Sequence, residues 1–206
     1  MRWLFLSLLL FAAQLASALA IIPMNEWGGT PIAVTGTPQT ITRLTVHHQG
    51  ETWVVGNDVP AYLRRLQKWS RETKHWADIP YHYVIAPDGR VYAARPEGVA
   101  GDTNTEYDPK GHLLVMLLGN FEEVEPTPEA LESLVELLAT KARETGLDER
   151  AIASHRDWST QTVCPGKNLY RYLENGWLKN AVAARLKEKL KEQPTSAPAA
   201  RPSPAP

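Results

Sequence analysis

The chain has 206 residues, enough for one domain with an ordinary hydrophobic core after allowance for non-globular ends. Apolar residues make up 43% of it, and 22 basic residues nearly cancel 23 acidic ones. Bulk charge therefore supports neither a nucleic-acid binder nor a polybasic membrane anchor, and partner and chemistry must be read from local motifs.

Residues 1–20, MRWLFLSLLLFAAQLASALA, place Arg2 before an apolar run centred on Leu4 to Ala13 and end on Ala18-Leu19-Ala20. That order reads as a secretory signal peptide: the unbroken run falls short of the ~20 residues a membrane span needs, and an A-x-A cleavage pattern follows. Cleavage is expected after Ala20, with Ala18 as the alternative. The product would be exported, periplasmic or secreted, with no stable membrane anchor.

From there to residue 177 strand-like and helix-like segments alternate. Ile41 to His47 and Tyr81 to Ala86 read as strands, and Pro87-Asp88-Gly89 turns the second into Arg90 to Ala94 as a hairpin. Asp58 caps a helix with Pro60 in its first turn, and Tyr62, Leu63, Leu66 and Trp69 fall on one face of it. Leu113 to Leu118 is a continuous apolar run, as expected of a strand buried on both faces. Thr127-Pro128 starts a second helix with a stripe of Leu131, Leu134, Val135, Leu138 and Ala142, and Gly146 ends it. Ile152 and Ala153 supply a short further strand. Residues 178–193 read as a polar, solvent-facing terminal helix, and 194–206, PTSAPAARPSPAP, as a disordered tail too rich in proline to hold a helix or a ladder. The fold class is α/β, a central mixed sheet flanked by helices in a single domain over residues 21–177. Nothing demands more than a monomer.

Export makes the cysteine count informative. Cys164 is the only cysteine, so no internal disulfide can form, and a lone thiol is a buried small hydrophobe, a nucleophile or a metal ligand. His47 and His48 end the first strand, where neighbouring side chains point to opposite faces, so only one of them can face a given site. His155 follows another short strand, and the loop after it brings Cys164 back towards it. Zinc favours thiolate and imidazole, and catalytic zinc keeps three protein ligands and one open position. His47, His155 and Cys164 would supply that set.

These residues sit within a longer pattern. Asn25-Glu26-Trp27-Gly28-Gly29, Leu44-Thr45-Val46-His47-His48, Trp76-Ala77-Asp78-Ile79-Pro80-Tyr81-His82-Tyr83, Asp88-Gly89-Arg90-Val91-Tyr92, Leu118-Gly119-Asn120-Phe121 and His155 to Gly166 occur in one order between Glu26 and Tyr170. Together they resemble the peptidoglycan recognition protein and bacteriophage amidase-type lysozyme family, whose enzymes are zinc-dependent N-acetylmuramoyl-L-alanine amidases. The resemblance implies Zn2+ held by His47, His155 and Cys164, and it is the family register that prefers His47 to His48. It also implies a catalytic tyrosine at Tyr81. Two residues before the cysteine, where phage enzymes carry lysine and recognition proteins threonine, stands Thr162. The implied partner is peptidoglycan or its muropeptides. Binding-only members typically lose the cysteine, so Cys164 implies a cutter.

The chain departs from the family in three places. The loop between His155 and Cys164 is one residue longer. Gly101-Asp102-Thr103-Asn104-Thr105 lacks the histidine of the usual G-x-H segment, which puts its peptide contacts in doubt. Gly111-His112 replaces the usual Asn-Ser, leaving His112 as a groove residue or a strand-edge polar group. His48, Trp76 and His112 are the candidate substrate contacts. His75 and His82 are not expected to be ligands.

Overall fold

The computed structural model describes residues 19–31, 36–54 and 56–191. Residues 1–18 of the expected signal peptide and the expected proline-rich tail, 194–206, lie outside the described residues. Six strands, β1 (Ile21–Ile22), β2 (Arg43–His48), β3 (Tyr83–Ile85), β4 (Val91–Ala93), β5 (His112–Leu117) and β6 (Ile152–Ser154), form one sheet in the order β1-β4-β3-β5-β2-β6. The β3–β4 pair is antiparallel and every other pair is parallel, which makes the sheet mixed as expected. Four helices pack on it: α1 (Val59–Glu72), α2 (Pro128–Thr145), α3 (Lys167–Glu174) and α4 (Trp177–Lys191). Among the described residues no helix is long and apolar enough to cross a membrane.

Strand β5 lies between β3 and β2, and all six of its residues are buried, which explains its unbroken apolar run. The two faces of the sheet are covered unequally. Leu44, Val46, Leu113, Val115 and Leu117 pack on one face with Leu134, Leu138 and Ala142 of α2 and with Leu169 of α3. On the other face Val84, Tyr92 and Met116 pack with Val59 and Leu63 of α1 and with Trp27. No residue of β2 or β6 joins that second cluster. By strand alternation Thr45 and His47 point to this second face, so the cover over β4, β3 and β5 stops short of the β2 edge. The cleft lined by His47 opens there.

The caps read from the sequence are present. Asp58 Oδ1 accepts from Ala61 N at 3.0 Å, Thr127 Oγ1 accepts from Ala130 N at 3.2 Å, and Gly146 closes α2 at φ 70°. Of the expected α1 stripe, Leu63 is buried and Tyr62 and Leu66 pack beside it, but Trp69 departs from it. The buried line of the helix is Val59, Leu63, Gln67 and Ser70, whereas Trp69 is 43% exposed. Gln67 is inside because it is fully bonded: its Oε1 accepts from Thr30 N at 3.0 Å and its Nε2 donates to Asp78 Oδ1 at 3.0 Å.

Helix α4 also differs from the solvent-facing element expected. Leu178 and Val182 are fully buried in the core shared with α2, and Arg185 and Lys189 pair with Glu132 and Glu136 of α2 at its rim. Leu178→Ala should therefore lower global stability by about 2–5 kcal/mol, the usual cost of truncating a buried leucine. Urea unfolding followed by fluorescence and circular dichroism checks this; an unshifted midpoint would show α4 to be a loose appendage.

Candidate metal centre and cleft

The parallel register sets Leu44, Thr45 and Val46 of β2 beside Ile152, Ala153 and Ser154 of β6. Both strands consequently end at the same rim, His47 as the penultimate residue of β2 and His155 immediately after β6. Asp157 holds the exit of β6, its Oδ2 accepting from Ser154 N at 2.7 Å and from Ser154 Oγ at 2.8 Å. The loop then returns Cys164 beneath β2, where His48 N donates to Sγ at 3.3 Å and Arg156 N donates to Cys164 O at 2.9 Å. Gly166 makes this return possible. A Cβ there would stand 2.5 Å from the Phe121 carbonyl carbon, and its φ of +85° suits glycine.

His47, His155 and Cys164 each present a donor atom within 4.8 Å of the others; His47 and Cys164 are buried and His155 is half-buried. Cys164 Sγ lies 3.6 Å from His47 Nδ1. A tetrahedral centre with ~2.3 Å to sulfur and ~2.1 Å to nitrogen separates such donors by about 3.6 Å, so this pair fits a zinc ion without rearrangement. The imidazole rings of His47 and His155 are 4.7 Å apart. His155 Nε2 is engaged by Thr105 Oγ1 at 2.8 Å, which leaves Nδ1 to hold a metal. His47 Nε2 is buried with no hydrogen-bond partner among the described residues.

Burial sets the charge state of this cluster. It holds the His47 imidazole well below its ordinary range, with the neighbouring His155 adding to the effect, and it pulls His155 down to about 4 against the opposing pull of Glu106. It pushes the Cys164 thiol up to about 12 against the His48 N–H. The imidazoles are thus neutral and ready to ligate, while the thiol keeps its proton until a cation replaces it.

The triad lies at the bottom of an open cleft of about 250 Å³ walled by Gln49, Trp76, Pro80, Tyr81, residues 102–105 and Thr162. Tyr81 packs its ring 5.2 Å from His47, and burial, then the field of Cys164, raises its phenol well above the ordinary value. Thr162 Oγ1 accepts from Cys164 N at 3.1 Å, which leaves its own proton free to donate into the cleft. Trp76 stands edge-on to Trp69, with the Lys74 ammonium over its ring at 5.1 Å.

The other two candidate contacts stand apart from these. His48 touches the cleft wall, but its ring packs towards Phe121 on the opposite side of β2 and its Nδ1 accepts from Phe121 N at 3.3 Å. His112 is 2% exposed, bonded through Nδ1 to Thr45 Oγ1 at 2.8 Å, and does not line the cleft. The strand-edge polar reading describes it better than the groove reading.

Two features were invisible in the sequence. The segment 101–105, noticed only for its missing histidine, forms a whole wall of the cleft. Arg95, 3% exposed, donates to Ile79 O and Asp78 O at 2.7 Å each, and also to Ala100 O and Asp102. It ties the wall carrying Tyr81 to the wall carrying Thr105. A buried arginine gives no periodicity signal, so only its unusual place in an apolar strand exit could have drawn notice.

With the geometry in place, comparison with known proteins is decisive. The N-acetylmuramoyl-L-alanine amidase family matches residues 37–167. The chain belongs to this family. It is 28% identical over 183 residues to peptidoglycan-recognition protein SD of Drosophila simulans, covering 84% of this chain and 95% of that protein. It is 30% identical over 166 residues to human N-acetylmuramoyl-L-alanine amidase, covering 75% of this chain and 28% of that protein. Among solved structures it superimposes with a TM-score of 0.66 on a chain of the complex of tracheal cytotoxin with peptidoglycan recognition proteins LCa and LCx. Identity there is 26%, over 75% of this chain and 94% of that one.

A buried histidine just before β3 gives an acid test of the fold. His82 Nδ1 accepts from Leu114 N at 2.9 Å, which requires that nitrogen to be unprotonated, and its Nε2 faces Val99 O at 3.0 Å. Burial lowers its pKa to about 4. Unfolded histidine titrates near ~6.5, so the unfolded state takes up the proton first and stability is lost as pH falls from about 6.5 through about 4. Thermal melts across this window should show the decline, and His82→Asn should flatten its slope; an unchanged slope would contradict the assignment.

Proposed function

We propose that the chain is an exported zinc-dependent N-acetylmuramoyl-L-alanine amidase, cutting the amide between the lactyl group of muramic acid and L-alanine in peptidoglycan or its muropeptides. The observation that carries this reading is the gathering of His47, His155 and Cys164 at the bottom of an open cleft. The signal-peptide pattern of residues 1–20 supports export, with a mature amidase domain over 21–177 extended by the 178–193 helix. The family match supports the reaction class, and the tracheal cytotoxin bound by peptidoglycan recognition proteins of the same fold supports the substrate class.

In this reading His47, His155 and Cys164 would hold zinc at the cleft. Zinc, when bound, supplies Lewis acidity and lowers the pKa of a water it holds from ~15.7 towards ~7. The reaction adds the water oxygen to the lactyl carbonyl carbon, breaks the C–N bond, and delivers a water proton to the departing alanine nitrogen. Thr162 donates its free hydroxyl proton to the oxygen that gains charge as the carbonyl becomes tetrahedral. Tyr81, whose raised pKa keeps its phenol protonated, donates a hydrogen bond that orients the attacking water or steadies the same oxygen. Trp76 supplies an aromatic wall for the substrate, and His48 buttresses the Cys164 side of the cleft.

A second reading is a peptidoglycan-binding module without catalysis, since several relatives are named as recognition proteins. Retention of Cys164 in the metal cluster favours cutting.

Purified mature protein should contain one zinc and release L-alanine-terminated peptide from muropeptide, detected by mass spectrometry; chelation should stop release and added zinc restore it. Cys164→Ser should lose both zinc and cleavage while keeping its circular dichroism. Tyr81→Phe should keep zinc and lower kcat by about 10²-fold with little change in KM, as for removal of one oxyanion donor. A zinc-loaded, folded sample that binds muropeptide and releases nothing would establish the recognition reading instead.

A further inference from the structure

We infer that Thr105, backed by Thr103, is a positioning residue that dictates which imidazole nitrogen His155 presents to the metal. The inference rests on the zinc reading of the cluster and deepens it. It gives a role to the segment whose family histidine is missing.

Three hydrogen bonds form a short chain. Thr105 Oγ1 lies 2.8 Å from His155 Nε2, Thr103 Oγ1 lies 2.8 Å from Thr105 Oγ1, and Thr105 N donates to Thr103 Oγ1 at 3.1 Å. The chain has two possible directions. In one, Thr105 donates to Nε2, the ring proton sits on Nδ1, and the nitrogen left to the cluster cannot ligate. In the other, Nε2–H donates to Thr105, Thr105 donates to Thr103, and Nδ1 carries the lone pair. Only the second suits a metal, and in it Thr103 Oγ1 accepts both from the Thr105 hydroxyl and from the Thr105 backbone. A metal-bound imidazole is ordinarily oriented by such a partner on its other nitrogen, more often a carboxylate or a carbonyl than a hydroxyl.

The surroundings hold this arrangement in place. The His155 ring has Tyr107 at 5.1 Å and His47 at 4.7 Å, which restricts its rotation. The next residue, Glu106, accepts from Ser159 Oγ at 2.5 Å and from Thr160 N at 2.9 Å. The turn that carries Thr105 is thereby fastened to the loop that carries Thr162 and Cys164. A hydroxyl at 105 is a neutral acceptor, so it orients His155 without adding charge to a cluster that burial already keeps uncharged.

Thr105→Val keeps the shape of the side chain and removes its oxygen, whereas Thr105→Ser keeps the oxygen. Zinc affinity measured by competition with a chromophoric chelator should fall about 10- to 100-fold in Thr105→Val, the usual cost of losing such a partner. Thr105→Ser should stay close to wild type, and the metal-free melting temperatures of all three should agree. Cobalt substitution should show altered d–d bands in Thr105→Val with the thiolate charge-transfer band retained. Equal zinc affinity in Thr105→Val and wild type, or a loss in Thr105→Ser as large as in Thr105→Val, would overturn the inference while leaving the metal centre intact. Wild-type protein that takes up no zinc would instead remove the metal reading on which it rests.

Discussion

Parallel pairing of β2 with β6 brings two of the three donor side chains to one end of the sheet. Parallel neighbours end at the same rim, so a histidine at the penultimate position of β2 and another just past β6 meet without any long excursion of chain. The pairing of β2 with the fully buried β5 makes this rim rigid, and α1 leaves it uncovered because its apolar face is spent on β3, β4 and β5. A cleft at the open half of one sheet face follows from that unequal cover. The third donor arrives by a loop whose exit passes so close to Phe121 that only glycine fits at 166.

The cluster that results is neutral by construction. Two imidazoles and a thiol stand together, His47 and Cys164 buried and His155 half-buried, and burial drives each towards its uncharged form against the opposing pull of Glu106 on His155. Such a set has little use as a stabilising interaction, because Cys164 Sγ and His47 Nδ1 meet only in a weak contact at 3.6 Å. A dication changes the balance: it gives the thiol a reason to ionise and the imidazoles a lone-pair acceptor. The same field would act on Tyr81 and Thr162, which stand at the cleft side of the cluster with protons to donate.

Much of this was legible from residue order. Helix caps at Asp58, Thr127 and Gly146, the hairpin at Asp88-Gly89 and the doubly buried run of β5 are local signals, and the structure contains each of them. The closeness of His47, His155 and Cys164 was readable because all three lie at strand ends or in a short return loop. What escaped was polar and non-local. Gln67 is buried because Thr30 and Asp78 satisfy it, α4 is anchored by Leu178 and Val182 within an otherwise polar sequence, and Arg95 grips two walls through backbone carbonyls. Residues 103–105 looked like a loop defined by a missing histidine, since no local pattern shows that a threonine will meet an imidazole fifty positions away.

The central claim is that the triad is a metal centre of defined composition. X-ray absorption at the zinc edge of the purified mature protein tests it most directly. The account predicts one sulfur scatterer at about 2.3 Å and two imidazole nitrogens at about 2.0–2.1 Å, with a further light atom completing four-coordination. A spectrum with no sulfur in the first coordination sphere would contradict it.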